Sequence, residues 1–559
     1  MMADAFLGLN ILHDTSAALV VDGELVAAVE QERFNRDRHT TDFPKDAVDY
    51  CLEAADLRRE DLRGVAVTFD YDEFRTNDNP FERHTNNHDD TTMGGRARIL
   101  ADNRSTWDAA RRELVEFGFP KARYLRHHLT HAACGYYLSD FDEAGVIVVD
   151  GRGEREATTL WHAQGPKINN LESYNVNDSL GQLYTYVTSL CGLYGNIGNE
   201  GKTMGLSGYG SNRFDFGSVL TFDHDRYRIH RDELRKFAQY RAPLGKPDRN
   251  ARDLAYAVQE KLEEAFRFLT ARVRSLTDCQ DLVLSGGVAL NCNANGMLVA
   301  SDAVSDLYVP PAANDAGTAV GAALLQWAEF SGGRPRTPAN QVYLGERADR
   351  SAIDRAVTSG GVNSVRVQRP EAVAARAIAS GLIIGWYQDR MEFGPRALGN
   401  RSILADPRDP SMPDKLNNRV KFRESWRPFA PSALAEHASA WFGPAVDSPY
   451  MLLSLEVLPE RRHLVPAITH VDGSSRVQTV ERERNPLYHR LIEEFHRITG
   501  VPMVVNTSLN IRGEPIARTP EDAVQCLVES GLDLVFLGDT VAWKDDVDIN
   551  SLISGESNK

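Results

Sequence analysis

Apolar residues near the start of the chain fall in short runs, which predict strands. Residues 5–11 read as a buried strand. Residues 16–21 and 24–29 read as two more, joined by Asp22-Gly23, a strong two-residue hairpin signal. Residues 44–55 show a helical amphipathic pattern with Pro44 at its start, where a missing N–H breaks no helix bond. A strand over 64–69 and a helix over 96–117 follow, and a further helix opens at His127. The β-branched run 145–149 ends in Asp150-Gly151-Arg152-Gly153. Helical patterns over 180–190 and 254–276 flank the stretch 195–205, whose glycines read as a loop. Strands at 282–284 and 307–309 each run through a turn into a helix, the second helix starting at Asp315. The Gly/Arg/Pro run 331–338 reads as a linker, and a second set of strands follows, including 381–387 and 501–505. Strands alternating with helices in this way predict an α/β chain of two domains, 1–338 and 339–559.

A length of 559 residues agrees, since one core rarely grows so large. The formal charge of −16 argues against general affinity for nucleic acid or an anionic membrane. The six cysteines are scattered without a C-x-x-C pair, which predicts free thiols in a reducing compartment. No apolar run approaches the ~18 residues of a membrane span, and Asp4 sits where a signal peptide carries positive charge. A cytoplasmic protein is expected, with no nucleic-acid or membrane partner and with a homo-oligomer allowed.

The chemistry centres on His127-His128-Leu129-Thr130-His131. On a helix, His127 and His131 share one face and can hold a divalent ion with carboxylates from elsewhere. His128 points about 100° away and is left out. Spacing alone leaves this reading level with capping or packing histidines. Asp150, delivered by a strand into a glycine turn, sits where open α/β folds bind ligands, and Asp315, at a helix start, is a second candidate metal ligand. An Asx-turn and an N-cap are the plainer alternatives. His13, in the turn between the first two strands, is a candidate general base. Lys202 in the glycine-rich stretch and the Ser285-Gly286-Gly287 turn are candidates for anion approach. The polar stretch 76–95 reads as a surface loop or lid. From Arg390 to Arg427 there are nine Lys/Arg against five Asp/Glu, interleaved with Pro, Gly and aromatics. That composition predicts a shaped polyphosphate pocket, because guanidinium forks match phosphate oxygens.

The motifs HHLTHAACGYY, VIVVDGRGE, SGGVALNCNANG, PPAANDAGTAVGAA, FGPRALGNRSILADPR, RVKFRESWRPFAP and VNTSLNIRGEPI span both halves of the chain. Together they resemble the O-carbamoyltransferases of the nodulation and antibiotic-tailoring type. The resemblance implies an actin-like (ASKHA) N-terminal domain, related to tRNA threonylcarbamoyl-transfer proteins, and a YrdC-like C-terminal domain that forms carbamoyl-adenylate. It implies a metal shell of His127, His131, Asp150 and Asp315, most often holding iron(II) in the family. The donor set by itself suits Fe, Mn or Zn equally. It implies that His13 takes the acceptor hydroxyl proton and that Lys202, Gly286, Gly287 and Asn291 line a nucleotide. Arg396, Lys421, Arg427, Arg476, Asn506 and Ser508 are implied to hold ATP, with its Mg2+, and carbamoyl phosphate as donor. The adenylate is then expected to pass internally to the metal site, where a hydroxyl of a small-molecule natural product accepts the carbamoyl group. Residues 76–95 and 226–252 match no family pattern, so the acceptor stays unspecified. Two rival readings are a kinase of actin-like fold that phosphorylates a sugar hydroxyl and a non-catalytic nucleotide-sensing or RNA-binding module. The first leaves the basic second domain unused, and the acidic net charge opposes the second.

Overall fold

A computed structural model describes residues 3–70, 107–193, 198–301, 304–336, 341–544 and 547–554. The stretch 76–95, the start of the helix expected over 96–117, part of the 195–205 stretch and the expected domain cut at 338 lie outside them. The chain divides into two units, one of Met1–Glu32 with His39–Gln341 and one of Arg33–Arg38 with Val342–Lys559.

The first unit carries two five-stranded sheets. In one, β1 (Ala5–Asn10), β2 (Ser16–Val21), β3 (Glu24–Glu30), β4 (Leu62–Val67) and β5 (Arg123–Tyr124) lie in the order β3-β2-β1-β4-β5. The second starts with β6 (Glu143–Val149), β7 (Glu156–Gln164) and β8 (Lys167–Asn175). After a ribbon of β9 (Leu220–Phe222) and β10 (Tyr227–Ile229), it is completed by β11 (Asp281–Ser285) and β12 (Asp306–Tyr308), in the order β12-β11-β6-β7-β8. In each sheet the first three strands form an antiparallel meander, and the last two add in parallel beside the first. This pattern, made twice, is the actin-like plan. The β2–β3 hairpin follows its turn chemistry, since Asp22 and Gly23 both take positive φ, at 50° and 89°.

Two helices carry the apolar stripes that close this unit. The Thr318–Ser331 helix, opening TAVGAALL, is buried along most of its length and packs on β1 and on the His127–Leu138 helix. At Gly321 a Cβ would lie 1.9 Å from the Thr130 carbonyl oxygen, so the two helix backbones touch where no larger residue fits. That crossing brings the segment after Asp315 against the segment carrying His127 and His131.

The second unit is built on a ten-stranded mixed sheet. Its central strands, Ile384–Tyr387, Arg401–Ala405 and Met503–Ser508, are flanked by Leu534–Leu537 on one side and Ala430–Leu434 on the other. The helices Pro370–Ala379 and Pro486–Thr499 pack together. The second of these is capped by Asn485, begins with Pro486 and is closed by Gly500 in the left-handed region. Arg33–Arg38 belongs here because Arg33 donates to the Gly394 carbonyl at 2.9 Å. Arg36 donates to those of Ile516 and Pro515 at 2.8 and 2.9 Å. Among the described residues no helix is long and apolar enough to cross a membrane.

Candidate active site

The His127–Leu138 helix presents His127 and His131 one turn apart, and β6 ends by delivering Asp150. Asp315 starts the short turn Asp315–Gly317 that leads into the Thr318–Ser331 helix. One ligand atom from each of these four buried residues lies within 4.8 Å of the others. The His127 Nε2 is 3.1 Å from Asp150 Oδ2 and 3.6 Å from Asp315 Oδ1, and the His131 Nε2 is 3.5 Å from Asp315 Oδ1. The two Nε2 atoms face each other at 3.1 Å. Two lone pairs at that distance repel, so a proton or a cation belongs between them. The Thr68 carbonyl, which can only accept, lies 3.2 Å from His127 Nδ1 and so fixes the proton there and turns Nε2 inward.

Burial opposes a charge on His127, but Asp315 and Asp150 outweigh it and its pKa is raised. Burial likewise opposes ionisation of Asp150, yet the two histidines hold its pKa well below the usual carboxylate range. The Asp315 carboxyl is held low in the same way, chiefly by His13 and His127. Two ionised carboxylates and two convergent imidazoles therefore demand positive charge, and the set fits a divalent ion. His128 turns away, bonded through Nδ1 to Thr159 Oγ1 at 2.9 Å. Glu154 was not singled out in the sequence, although it closes the VIVVDGRGE motif. It is fully buried and accepts the backbone N–H of His127 at 2.9 Å and of Asp70 at 2.7 Å. An acid directly after the Gly151-Arg152-Gly153 turn was the available signal.

His13 sits at the rim, its side chain 40% exposed, with Nε2 3.1 Å from Asp315 Oδ2. Asp315 first, then Asp14 and Asp150, push its pKa up to about 9 against the opposing effect of burial. Asp14 accepts from Asn314 at 3.0 Å and pairs with His39 Nδ1 at 2.6 Å. Asp14 and His39 both hold left-handed backbone, φ 52° and 59°, a conformation uncommon away from glycine.

The glycine turn after β11 meets this centre. Gly286 has φ 92°, a Cβ there would strike the Val149 carbonyl, and the Gly287 N–H donates to Asp150 Oδ1 at 3.1 Å. Asn291 caps the Cys292–Ala300 helix and exchanges amide hydrogen bonds with Gln259. Lys202 departs from its expected setting. Glu200–Ser207 is a helix, not a loop, because Thr203, Leu206 and Ser207 form a face buried against the Arg249–Thr277 helix. Lys202 therefore lies in a helix's first turn.

In the second unit the basic stretch separates into two groups. Arg401 is wholly buried and donates to the carbonyls of Asn400, Asp389 and Glu346, with its guanidinium 3.7 Å from the Tyr387 ring centre. Arg408 grips Asp406 at 2.6 Å, and Arg419 grips Asp533 at 2.8 Å. These arginines hold the scaffold together. The other group is a set of cations near one another. Lys421 ends the π-helical turn Asn417–Lys421, and its ammonium donates to Asn510 Oδ1 at 2.7 Å and to the Ser508 carbonyl. Burial, with repulsion from Arg423 and Arg427, pulls Lys421 down to about 7, although Cys526 opposes the shift. Burial lowers Arg423, which repulsion from Arg427 and Arg476 reinforces. Arg427 is also lowered, by burial first, with Glu424 opposing and Arg38 and Arg476 repelling it. Arg38, far off in sequence and not singled out there, thus joins the cluster. Ser508 Oγ donates to Asn510 Oδ1 at 2.8 Å, and buried Asn506 donates to Ser432 Oγ at 2.9 Å. Arg396 stands half-buried in the loop before Ala397, whose carbonyl Asn506 also reaches at 3.2 Å. The cluster has the charge and burial of an anion site.

Comparisons with known proteins bear on both units. The family model described as carbamoyltransferase N-terminus matches residues 5–324, and that described as carbamoyltransferase C-terminus matches residues 375–544. The chain is 36% identical to the nodulation protein NolNO of Sinorhizobium fredii over 95% of this chain and 78% of that one. It is 35% identical to an uncharacterized protein of Synechocystis over 95% of both. To the 3'-hydroxymethylcephem-O-carbamoyltransferase of Amycolatopsis lactamdurans it is 32% identical, over 62% of this chain and 65% of that one.

Proposed function

This chain belongs to the carbamoyltransferase family and is a transferase enzyme, and we propose that it carbamoylates a hydroxyl of a small-molecule natural product, using carbamoyl phosphate and ATP. The observation that carries this reading is the convergence of His127, His131, Asp150 and Asp315 with His13 at their rim. A kinase has no use for the histidine couple or for a second basic cluster.

In the second unit, Lys421, Arg427 and Arg476 hold the phosphate groups of ATP and carbamoyl phosphate. Water releases inorganic phosphate from carbamoyl phosphate, the carbamate oxygen left behind attacks the α-phosphorus of ATP, and pyrophosphate leaves as carbamoyl-adenylate forms, the cations neutralising charge on the transferring groups. Lys421 suits this work, since a lysine held near neutrality gains a proton as anions arrive. In the first unit the acceptor hydroxyl oxygen attacks the carbamoyl carbon, its bond to the adenylate phosphate breaks, and AMP leaves. In its neutral form His13 takes the hydroxyl proton at Nε2, the atom now facing Asp315, and a cation held by Asp315 would offset the carboxylate charge that pushes His13 up to about 9. The Gly286-Gly287 turn beside Asp150 lets the nucleotide approach the backbone closely. A divalent ion bound by His127, His131, Asp150 and Asp315 supplies Lewis acidity toward a phosphate or carbonyl oxygen, and Fe, Mn and Zn all suit the donor set.

The test is incubation with ATP, labelled carbamoyl phosphate and a panel of hydroxylated natural products, followed by mass spectrometry. Label in a carbamoylated alcohol, dependent on ATP, is the expected result. A phosphorylated alcohol without carbamoyl label would overturn the reading.

A further inference from the structure

At the end of β6 remote from Asp150, a second set of metal-ligating atoms comes together. Glu143 opens β6, and His162 lies near the end of β7, opposite Gly145 in the register. Cys279 follows the Arg249–Thr277 helix, just past Asp278, which closes that helix with left-handed φ of 58°. His162 Nε2 is 2.6 Å from Glu143 Oε1, and the Cys279 Sγ lies with both inside a 4.8 Å sphere of mutual approach. At about 3.3 Å per residue along a strand, this cluster is roughly 20 Å from the four-residue centre. His162 and Glu143 are partly exposed, with side chains 28% and 44% accessible, so an ion can enter from solvent. Cys279 is the one cysteine of the six that is not buried.

We propose that Glu143, His162 and Cys279 form a further metal site, separate from the catalytic centre, for a zinc-type divalent ion. A thiolate, an imidazole nitrogen and a carboxylate oxygen are the donor types zinc takes, with water in the fourth position. Softer sulfur favours zinc over magnesium or calcium, which prefer oxygen alone. Binding releases the Cys279 thiol proton to solvent, shifts the His162 ring proton from Nε2 to Nδ1, and replaces the Glu143–His162 hydrogen bond with two bonds to the ion. The ligands come from two neighbouring strands and the segment just past the Arg249–Thr277 helix. An occupied site therefore ties that helix end to the β6–β7 edge.

The experiment follows alkylation of Cys279 by iodoacetamide in the full-length enzyme, with peptide mapping by mass spectrometry. Zinc at about ten times its dissociation constant should slow modification of Cys279 about tenfold. The His162→Ala and Glu143→Gln variants should keep a reactive Cys279 and lose most of that protection. The Asp315→Asn variant should retain it, since the catalytic centre is separate. Unslowed alkylation in the presence of zinc overturns the proposal. So does equal protection in His162→Ala, because a thiol binding zinc without its neighbours is no built site.

Discussion

Replacing Asp315 by asparagine keeps the shape of the side chain and removes its charge. The carboxylate lies 3.6 Å from His127, 3.5 Å from His131 and 3.1 Å from His13, and it is 7% exposed. At an effective permittivity of about 20, unit charges 3.5 Å apart interact by roughly 5 kcal/mol, which bounds what each neighbour loses. An amide oxygen still reaches the site but carries no formal charge for an ion. Removing a group that merely orients a ligand costs about 10–100-fold in metal affinity. Losing an anionic ligand should therefore cost at least about a hundredfold, or roughly 2.7 kcal/mol. Metal content by inductively coupled plasma mass spectrometry should fall toward zero after dialysis. Transfer from supplied carbamoyl-adenylate to an alcohol should fall with it, while ATP-dependent adenylate formation continues. Asp315→Asn with full metal content would refute the ligand assignment. Equal loss of both half-reactions would refute the separation of the two chemistries.

His13→Asn should keep its metal and slow transfer by about 10²–10⁴, the range of a general base, and unchanged turnover would remove that role. Arg427→Ala should abolish adenylate formation yet still transfer from supplied carbamoyl-adenylate, whereas an equal loss of both steps would argue against a dedicated anion site. Lys421 is held at about 7 in the free protein, and an arriving anion raises it, so binding takes up a proton above that pH. Affinity for ATP should then fall as pH climbs past about 7, by up to about tenfold per unit, and titration calorimetry in buffers of different ionisation enthalpy should detect the uptake. Gly321→Ala puts a Cβ 1.9 Å from a backbone oxygen that no rotamer can move, so stability in urea should drop by about 1–3 kcal/mol. The same variant should bind metal more weakly, because the crossing that joins the two ligand-bearing segments opens; native metal affinity would show that the crossing does not hold the site.

Local pattern was enough for much of this chain. The hairpin at Asp22-Gly23, the helix over Leu180–Leu190 and the strand leading into Asp150 are written in residues a few positions apart, where sterics and periodicity act directly. A two-histidine face is likewise a local property of helix geometry. The sequence also offered Asp150 and Asp315 as ligands, but no local rule could bring them to the histidines. That took the pairing of β6 with β11, which sets Asp150 beside the Gly286-Gly287 turn, and the Gly321 contact, which fixes the helix after Asp315. Tertiary packing decided the rest as well. It made a helix of Glu200–Ser207, because burial against a long helix outweighed the glycines. It divided the arginines of the second unit between carbonyl-bound supports such as Arg401 and the mutually repelling set around Lys421. It also placed Arg38 with that set, because the hydrogen bonds of Arg33 and Arg36 anchor an early segment in the second unit. Charge and spacing along a chain say which residues can bind an anion, but only the fold brings like charges close enough to require one.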